Sequence, residues 1–253
     1  KSNRAVVDGW VVLDKPVGLT STQAVSRLKR IYNAQKAGHA GTLDPLASGI
    51  LPIAFGEATK TVRFVQDGEK AYRFTVAWGS ETDTDDSDGK VVRTSDARPT
   101  PEAILALLPR FVGDIMQVPP MVSALKVDGK RLHQLAREGI EVERQPRPIT
   151  VHSFTVEPTS EPNVLSARIH CGSGTYVRSL GADLGEALGG GAHIRALRRL
   201  TTGPFDISGA STIESPVLLP VERIVAHLNA HTLDEKGIDD TLYGRYWGCT
   251  EDV

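Results

Sequence analysis

The chain has 253 residues with a formal net charge of −2, 40% hydrophobic and 24% charged residues, the balance of a soluble globular protein able to bury a full core. Its two cysteines, Cys171 and Cys249, make neither a disulfide framework nor a metal-ligand spacing. No apolar run reaches membrane-spanning length and the first residues lack a charged-then-apolar leader, so a cytoplasmic protein is expected. The near-neutral charge neither announces nor excludes a nucleic acid, whose phosphates would have to meet a local basic surface.

In chain order, residues 9–13 (GWVVL) read as a strand and residues 14–18 (DKPVG) as a turn. Thr20 and Gln23 form a capping-box pattern ahead of a helix with Ala24, Val25, Leu28 and Ile31 on one face. Arg27, Lys29 and Arg30 fall on the opposite face, the ordinary arrangement of a solvated surface.

Residues 36–60, KAGHAGTLDPLASGILPIAFGEATK, are the most informative stretch. Gly38, Gly41, Gly49 and Gly56 supply permissive backbone, and Pro45 and Pro52 stiffen what lies between. One carboxylate, Asp44, stands among Thr42, Leu43, Pro45, Leu46 and Ala47, and Pro45 biases it toward an extended conformation. A fixed loop holding a single acid in poor solvent suits a nucleophile or a general base. An Asp capping a turn before an apolar run is the ordinary alternative.

Residues 71–78 (AYRFTVAW) alternate as a half-buried strand with Tyr72 on its inner face. The acidic run at 81–89 (ETDTDDSDG) does not fit a calcium loop, because an EF-hand frame would begin on Thr84 and end on Ser95. It reads as a solvated hairpin loop. Thr100, Pro101 and Glu102 open a helix through Ile104, Leu105, Leu107 and Leu108 that Pro109 ends. Residues 117–139 place Lys126, Lys130, Arg131 and Arg137 close together, with Leu132, Leu135 and Ala136 marking a short amphipathic helix. That density of charge beside Gly129 and Gly139 favours a phosphate-facing segment over a plain surface hairpin.

Strands follow at 149–156 and 164–171, and Thr175 can cap a helix bearing Val177, Leu180, Leu184 and Leu188. Arg178 in that helix's first turn is poorly placed against the helix dipole, which points to a specific partner. Residues 189–200 (GGGAHIRALRRL) gather Arg195, Arg198 and Arg199, and beyond Thr201 lie a helix-like VERIVAHL and an aromatic LYGRYWGC. There is no GK[ST] phosphate loop, no HExxH and no Cys/His cluster, so neither a nucleotide cofactor nor a metal is indicated.

Residues 38–60 resemble the signature loop of the TruB family of tRNA pseudouridine synthases, and further family motifs are similar to WVVLDKPVGLTS, the 117–139 segment, GTYVRSL and GGGAHIRALRRL. The resemblance implies an α/β (α+β) pseudouridine synthase fold, a mixed, mostly antiparallel sheet flanked by helices. It divides the chain into a catalytic domain at 1–203, with a thumb insertion at about 122–148, and a reduced or incomplete PUA-like region at 204–253.

It further implies isomerisation of a flipped-out uridine in the tRNA T-loop, at position 55. Asp44 is then the nucleophile, at the uracil ring or the ribose, Arg178 its ion-pair partner and Tyr72 the residue stacked on the base. Tyr176 lines the base pocket, Leu197 lies against the base and His39 fills the space vacated in the T-loop. Lys126, Lys130, Arg198 and Arg199 are candidate RNA contacts, and Lys15 and Pro16 pack behind the loop. The expected partner is the tRNA T-arm, met by a monomer with no metal, cofactor, membrane or guide RNA. A guide-RNA-dependent relative and a tRNA-folding chaperone or binding module are the alternatives; the thumb-like segment argues against the first, and intact Asp44, Tyr72 and Arg178 argue against loss of chemistry without excluding a second, chaperone role.

Overall fold

The computed structural model describes residues 4–226, apart from 124, 128, 129, 141 and 158, together with residue 238; for 126, 127, 130, 131, 133 and 137 it describes the backbone alone. The elements in order are β1 (Gly9–Lys15), α1 (Ser21–Ile31), β2 (Ala37–His39), β3 (Ala47–Phe55), α2 (Val62–Gln66), β4 (Lys70–Trp78), β5 (Ser80–Thr82) and β6 (Val91–Thr94). There follow α3 (Pro101–Leu107), β7 (Gly113–Gln117), β8 (Lys126–Val127), β9 (Lys130–Arg131), α4 (Leu132–Arg137), β10 (Arg147–Glu157), β11 (Val164–Cys171), α5 (Val177–Ala187), β12 (Ala192–Thr202), β13 (Phe205–Asp206) and β14 (Leu218–Leu219).

One sheet organises the molecule, in the order β14-β1-β3-β12-β4-β11-β10-β7, with β2 beside β3 and β13 beside β12. Its pairings are antiparallel except β12 on β3, which is parallel through Leu197↔Ala47, Arg198↔Ser48 and Arg199↔Gly49. The mixed, mostly antiparallel sheet of the expected fold is therefore present. On β4 the alternation is clean: Tyr72, Phe74, Val76 and Trp78 are buried and Arg73 is exposed. α5 packs this inner face closely, for a Cβ at Gly185 would fall 2.5 Å from the Ala192 Cβ of β12.

Two local expectations change, and one strand was not read from the sequence. Residues 47–55 form a strand buried along nearly its whole length, although Gly49 and Pro52 argue against a strand interior. Burial between β1 and β12 outweighs that local preference. Residues 189–200 are mostly β12, the strand between β3 and β4, and not a basic surface segment. Tyr176, not Thr175, caps α5, because the Thr175 hydroxyl donates to the Gly172 carbonyl instead. The capping box at Thr20 and Gln23 forms with both of its hydrogen bonds.

Lys1–Val221 forms one compact unit and Glu222–Val253 a second. The first runs past residue 203, since β13 pairs with β12, β14 pairs with β1, and Ser211 exchanges backbone hydrogen bonds with Val12 and Asp14 at 2.8 Å. Of the second unit, residues 222–226 and 238 are described, and they include most of a 3-10 turn at Val221–Val225. The remainder of the expected PUA-type region, LYGRYWGC included, lies outside the described residues.

Candidate active site

Asp44 sits on the loop between β2 and β3, and the chain fixes that loop from two sides. Ser21, the buried first residue of α1, accepts from the Leu43 N–H at 2.9 Å and donates its hydroxyl to the Leu43 carbonyl at 3.0 Å. The Gly18 N–H donates to the Pro45 carbonyl at 2.7 Å. Lys15, fully buried, donates Nζ to the Leu19 carbonyl at 2.7 Å and the Pro16 carbonyl at 2.9 Å. Burial pushes the Lys15 ammonium down to about 8, with the nearby Asp44 charge opposing.

Arg199 of β12 supports the loop from below. It is 1% exposed and donates Nε to the Ile50 carbonyl at 2.8 Å and Nη2 to the Gly41 carbonyl at 3.1 Å. Gly49 permits this approach: its φ is +101°, and a Cβ there would lie 2.1 Å from the Arg199 carbonyl oxygen.

Arg178, in the first turn of α5, reaches Asp44 directly. Nε donates to Asp44 Oδ2 at 2.9 Å, Nη1 to the Thr84 carbonyl at 2.9 Å and Nη2 to the Val122 carbonyl at 2.7 Å. The Arg178 side chain is 5% exposed and that of Asp44 35%, so the ion pair is closed on the arginine side and open on the carboxylate side. A planar fork with fixed donors fills this role where a point charge would not.

The acidic run is not a solvated loop. β5 and β6 pair as a hairpin, but Asp86 between them is buried, with Oδ2 3.7 Å from Arg178 Nε and Oδ1 accepting from Thr84 Oγ1 at 2.6 Å and the Asp88 N–H at 3.1 Å. Burial pushes the carboxyl of neighbouring Asp85 up, with Arg178 and Arg144 opposing. A second carboxylate thus backs the guanidinium that holds Asp44. The density of acids in TDTDD was the only signal for it.

These residues enclose a cavity of about 310 Å³ lined by Asp44, Tyr72, Tyr176, Arg178, Leu197 and Arg199, with Lys70 and Ser123 among the others. That volume suits one planar base and not a stacked helix. Burial raises the pKa of Tyr72, and the Arg199 guanidinium against its hydroxyl partly offsets this. Tyr176 is held by the Gln117 side chain, which accepts from its N–H at 2.8 Å and donates to its carbonyl at 3.0 Å. Lys70, which sequence reasoning passed over, donates Nζ to the Gln66 and Gly68 carbonyls at 2.7 and 2.8 Å.

A carboxylate in a polar fork at the mouth of a one-base cavity has clear counterparts among known proteins. Residues 29–177 match the family described as TruB family pseudouridylate synthase (N terminal domain), and residues 178–216 match tRNA pseudouridylate synthase B C-terminal domain. The chain belongs to the TruB family.

It is similar to the tRNA pseudouridine synthase B of Bradyrhizobium diazoefficiens, 60% identical over 96% of this chain and 68% of that one. It is similar also to the Rhodopseudomonas palustris protein of the same description, 54% identical over 93% of this chain and 62% of that one. The chain therefore spans about two thirds of the length of these TruB relatives. Among solved structures, an H/ACA RNP bound to a substrate RNA containing 2'-deoxyuridine superposes with a TM-score of 0.65 at 27% identity, covering 88% of this chain and 62% of that chain.

Of the residues singled out in the sequence, Asp44, Tyr72, Tyr176, Arg178, Leu197 and Arg199 converge on the TruB cavity. Arg199 is corrected from a phosphate contact to an internal brace, because its guanidinium is buried on backbone carbonyls of the Asp44 loop and β3. Strand alternation turns Arg198 away, to pair with Asp14 at 2.7 and 2.9 Å. His39 ends β2 opposite Ile53 and does not line the cavity. Lys126 and Lys130 lie in the β8–β9 hairpin, with side chains outside the described residues. Among the described residues no group of three His, Cys, Asp or Glu could hold a metal, and no helix is long and apolar enough to cross a membrane.

Proposed function

We propose that the chain isomerises a uridine of tRNA to pseudouridine, at position 55 in the T-loop, as a stand-alone monomeric enzyme. The observation that carries this reading is the Asp44 carboxylate, opening onto a one-base cavity while Arg178 holds its far side at 2.9 Å. The relatives described as tRNA pseudouridine synthase B support the substrate class. The signature loop that resembles the family's supports the T-loop position.

In the reaction the N1–C1' bond breaks, the uracil turns, and C5 joins C1'; C5 loses its proton and N1 gains one, so no redox partner is needed. Asp44 acts on the nucleoside as nucleophile, at the uracil ring or the anomeric carbon. The uridine leaves its stacked position to reach Asp44, and the cavity receives it between Tyr72 and Leu197. The hairpin and helix at Lys126–Arg137 supply a clamp of the kind a stand-alone enzyme needs.

The test is tritium release from an unmodified tRNA transcript labelled at uridine C5, with no metal, cofactor or guide RNA added. Stoichiometric release, abolished in Asp44→Ala while tRNA binding persists, is the expected result. Tight binding without release by the unaltered chain would move the reading to a guided enzyme or an RNA-folding module.

A further inference from the structure

The outer face of α1 carries charge that the catalytic site does not use. Residues 15–43 hold five cations, Lys15, Arg27, Lys29, Arg30 and Lys36, and no carboxylate. Of these only Lys15 is taken into the active-site scaffold. The contrast with the rest of the surface is sharp. Arg73 and Arg168 both pair with Glu157, Arg93 with Glu81 and Glu186, Arg195 with Glu161 and Arg198 with Asp14. Arg4, Arg27, Lys29 and Arg30 have no ion pair among the described residues.

Basic residues in the last turn of a helix ordinarily just complement its dipole. Here a second chain segment joins them. The segment ahead of β1 is laid beside the end of α1 by the Ala5 N–H donating to the Asn33 carbonyl at 2.7 Å and the Gln35 N–H to the Ala5 carbonyl at 3.0 Å. The Gln35 side chain adds a bond to the Arg4 carbonyl at 2.8 Å. Arg4, Ser26, Lys29, Arg30 and Asn33 then line one polar concavity of about 390 Å³. Three cations, a hydroxyl and an amide around one hollow form a donor set for phosphate oxygens.

The position suits an extended polyanion. α1 has eleven residues and so spans roughly 16 Å, its first residue clamping the Asp44 loop and its last turn carrying Lys29 and Arg30. A polymer with one unit in the cavity can therefore lay other phosphates along the same helix. In a chain of net charge −2 such a local surface is what an RNA partner requires.

We propose that this face binds the phosphodiester backbone of the substrate RNA, at a distance from the reacting nucleotide. The inference rests on the RNA-substrate reading above for its partner, but its test does not require turnover. Binding of an unmodified tRNA transcript is measured from low to moderate KCl for the full chain and for the variant Arg4→Gln/Lys29→Gln/Arg30→Gln.

The expected result is about tenfold weaker binding at low salt, and a log–log salt dependence flatter by roughly 0.7–0.9 for each phosphate that the variant no longer neutralises. The charge-preserving Arg4→Lys/Lys29→Arg/Arg30→Lys variant should restore both, and Arg30→Gln alone should flatten the slope by roughly 0.7–0.9. An affinity and slope equal to those of the unaltered chain would overturn the proposal, even if the face were found to engage a protein or a lipid surface. A flattened slope in a chain that releases no tritium would keep this surface and remove the isomerase reading instead.

Discussion

Arg178 Nε lies 2.9 Å from Asp44 Oδ2, while both terminal nitrogens of the same guanidinium are bound to carbonyls, of Thr84 and Val122, at 2.9 and 2.7 Å. The ion pair is thus an anchor joining the Asp44 loop, the acidic hairpin and the segment leading to β8. Its geometry depends on three remote stretches of chain being in place together.

Arg178→Lys keeps the charge and loses the fork. An ammonium cannot reach all three acceptors, so Asp44 loses its orientation and the Thr84 and Val122 carbonyls lose their donors. The expected effect is a fall of roughly 100-fold in the single-turnover rate on saturating tRNA, with binding little changed. A rate within a few-fold of the unaltered chain would show that Asp44 keeps its orientation without the fork.

Asp86→Asn probes the second carboxylate. The amide can keep the bond with the Thr84 hydroxyl but lacks the charge 3.7 Å from Arg178. Arg178 is then free to shift toward Asp44, and the turnover rate should drop by about tenfold or more, since breaking one member of a buried charge network is costly. Single-turnover rates beside thermal midpoints would check this. Lost stability at unchanged rate would make Asp86 purely structural.

Gly49→Ala tests the close approach of β3 and β12. A positive φ of 101° and a Cβ placed 2.1 Å from the Arg199 carbonyl oxygen both oppose it. A cost of about 3 kcal/mol corresponds to a midpoint lower by roughly 6–12 °C for a domain of this size. Calorimetry on the variant and the unaltered chain decides it; equal midpoints would mean the strands separate freely here.

Lys70 should leave a mark on stability against pH. Burial, with the Arg199 charge adding to it, lowers its pKa to about 8 from an ordinary 10.5. Between these values the unfolded chain holds a proton that the folded chain has released, so this group makes stability rise with pH from about 8 to 10.5; below about 8 that contribution is lost. Lys70→Met should flatten that rise. Urea midpoints at neutral and at alkaline pH, compared between the two proteins, give the answer, and parallel curves would rule the effect out.

Much of the site was legible because its signals are local. The Thr20–Gln23 capping box and the alternation from Tyr72 to Trp78 act over a few residues of backbone, and both form as read; at Asp44–Ala47 the chain makes a turn, closed by the Ala47 N–H on the Asp44 carbonyl at 3.0 Å. The sequence alone therefore placed Asp44 in a loop, Tyr72 on a strand and Arg178 in the first turn of a helix.

Tertiary structure decided which charges are inside. Arg199 and Arg198 are neighbours with equal intrinsic claims on water, yet strand alternation buries one under the Asp44 loop and turns the other toward Asp14. Asp86, set among acids that all read as solvated, is buried because Arg178, ninety-two positions along the chain, is brought beside it. A charge can leave water only where partners replace its hydration, and those partners come from segments that folding alone brings together.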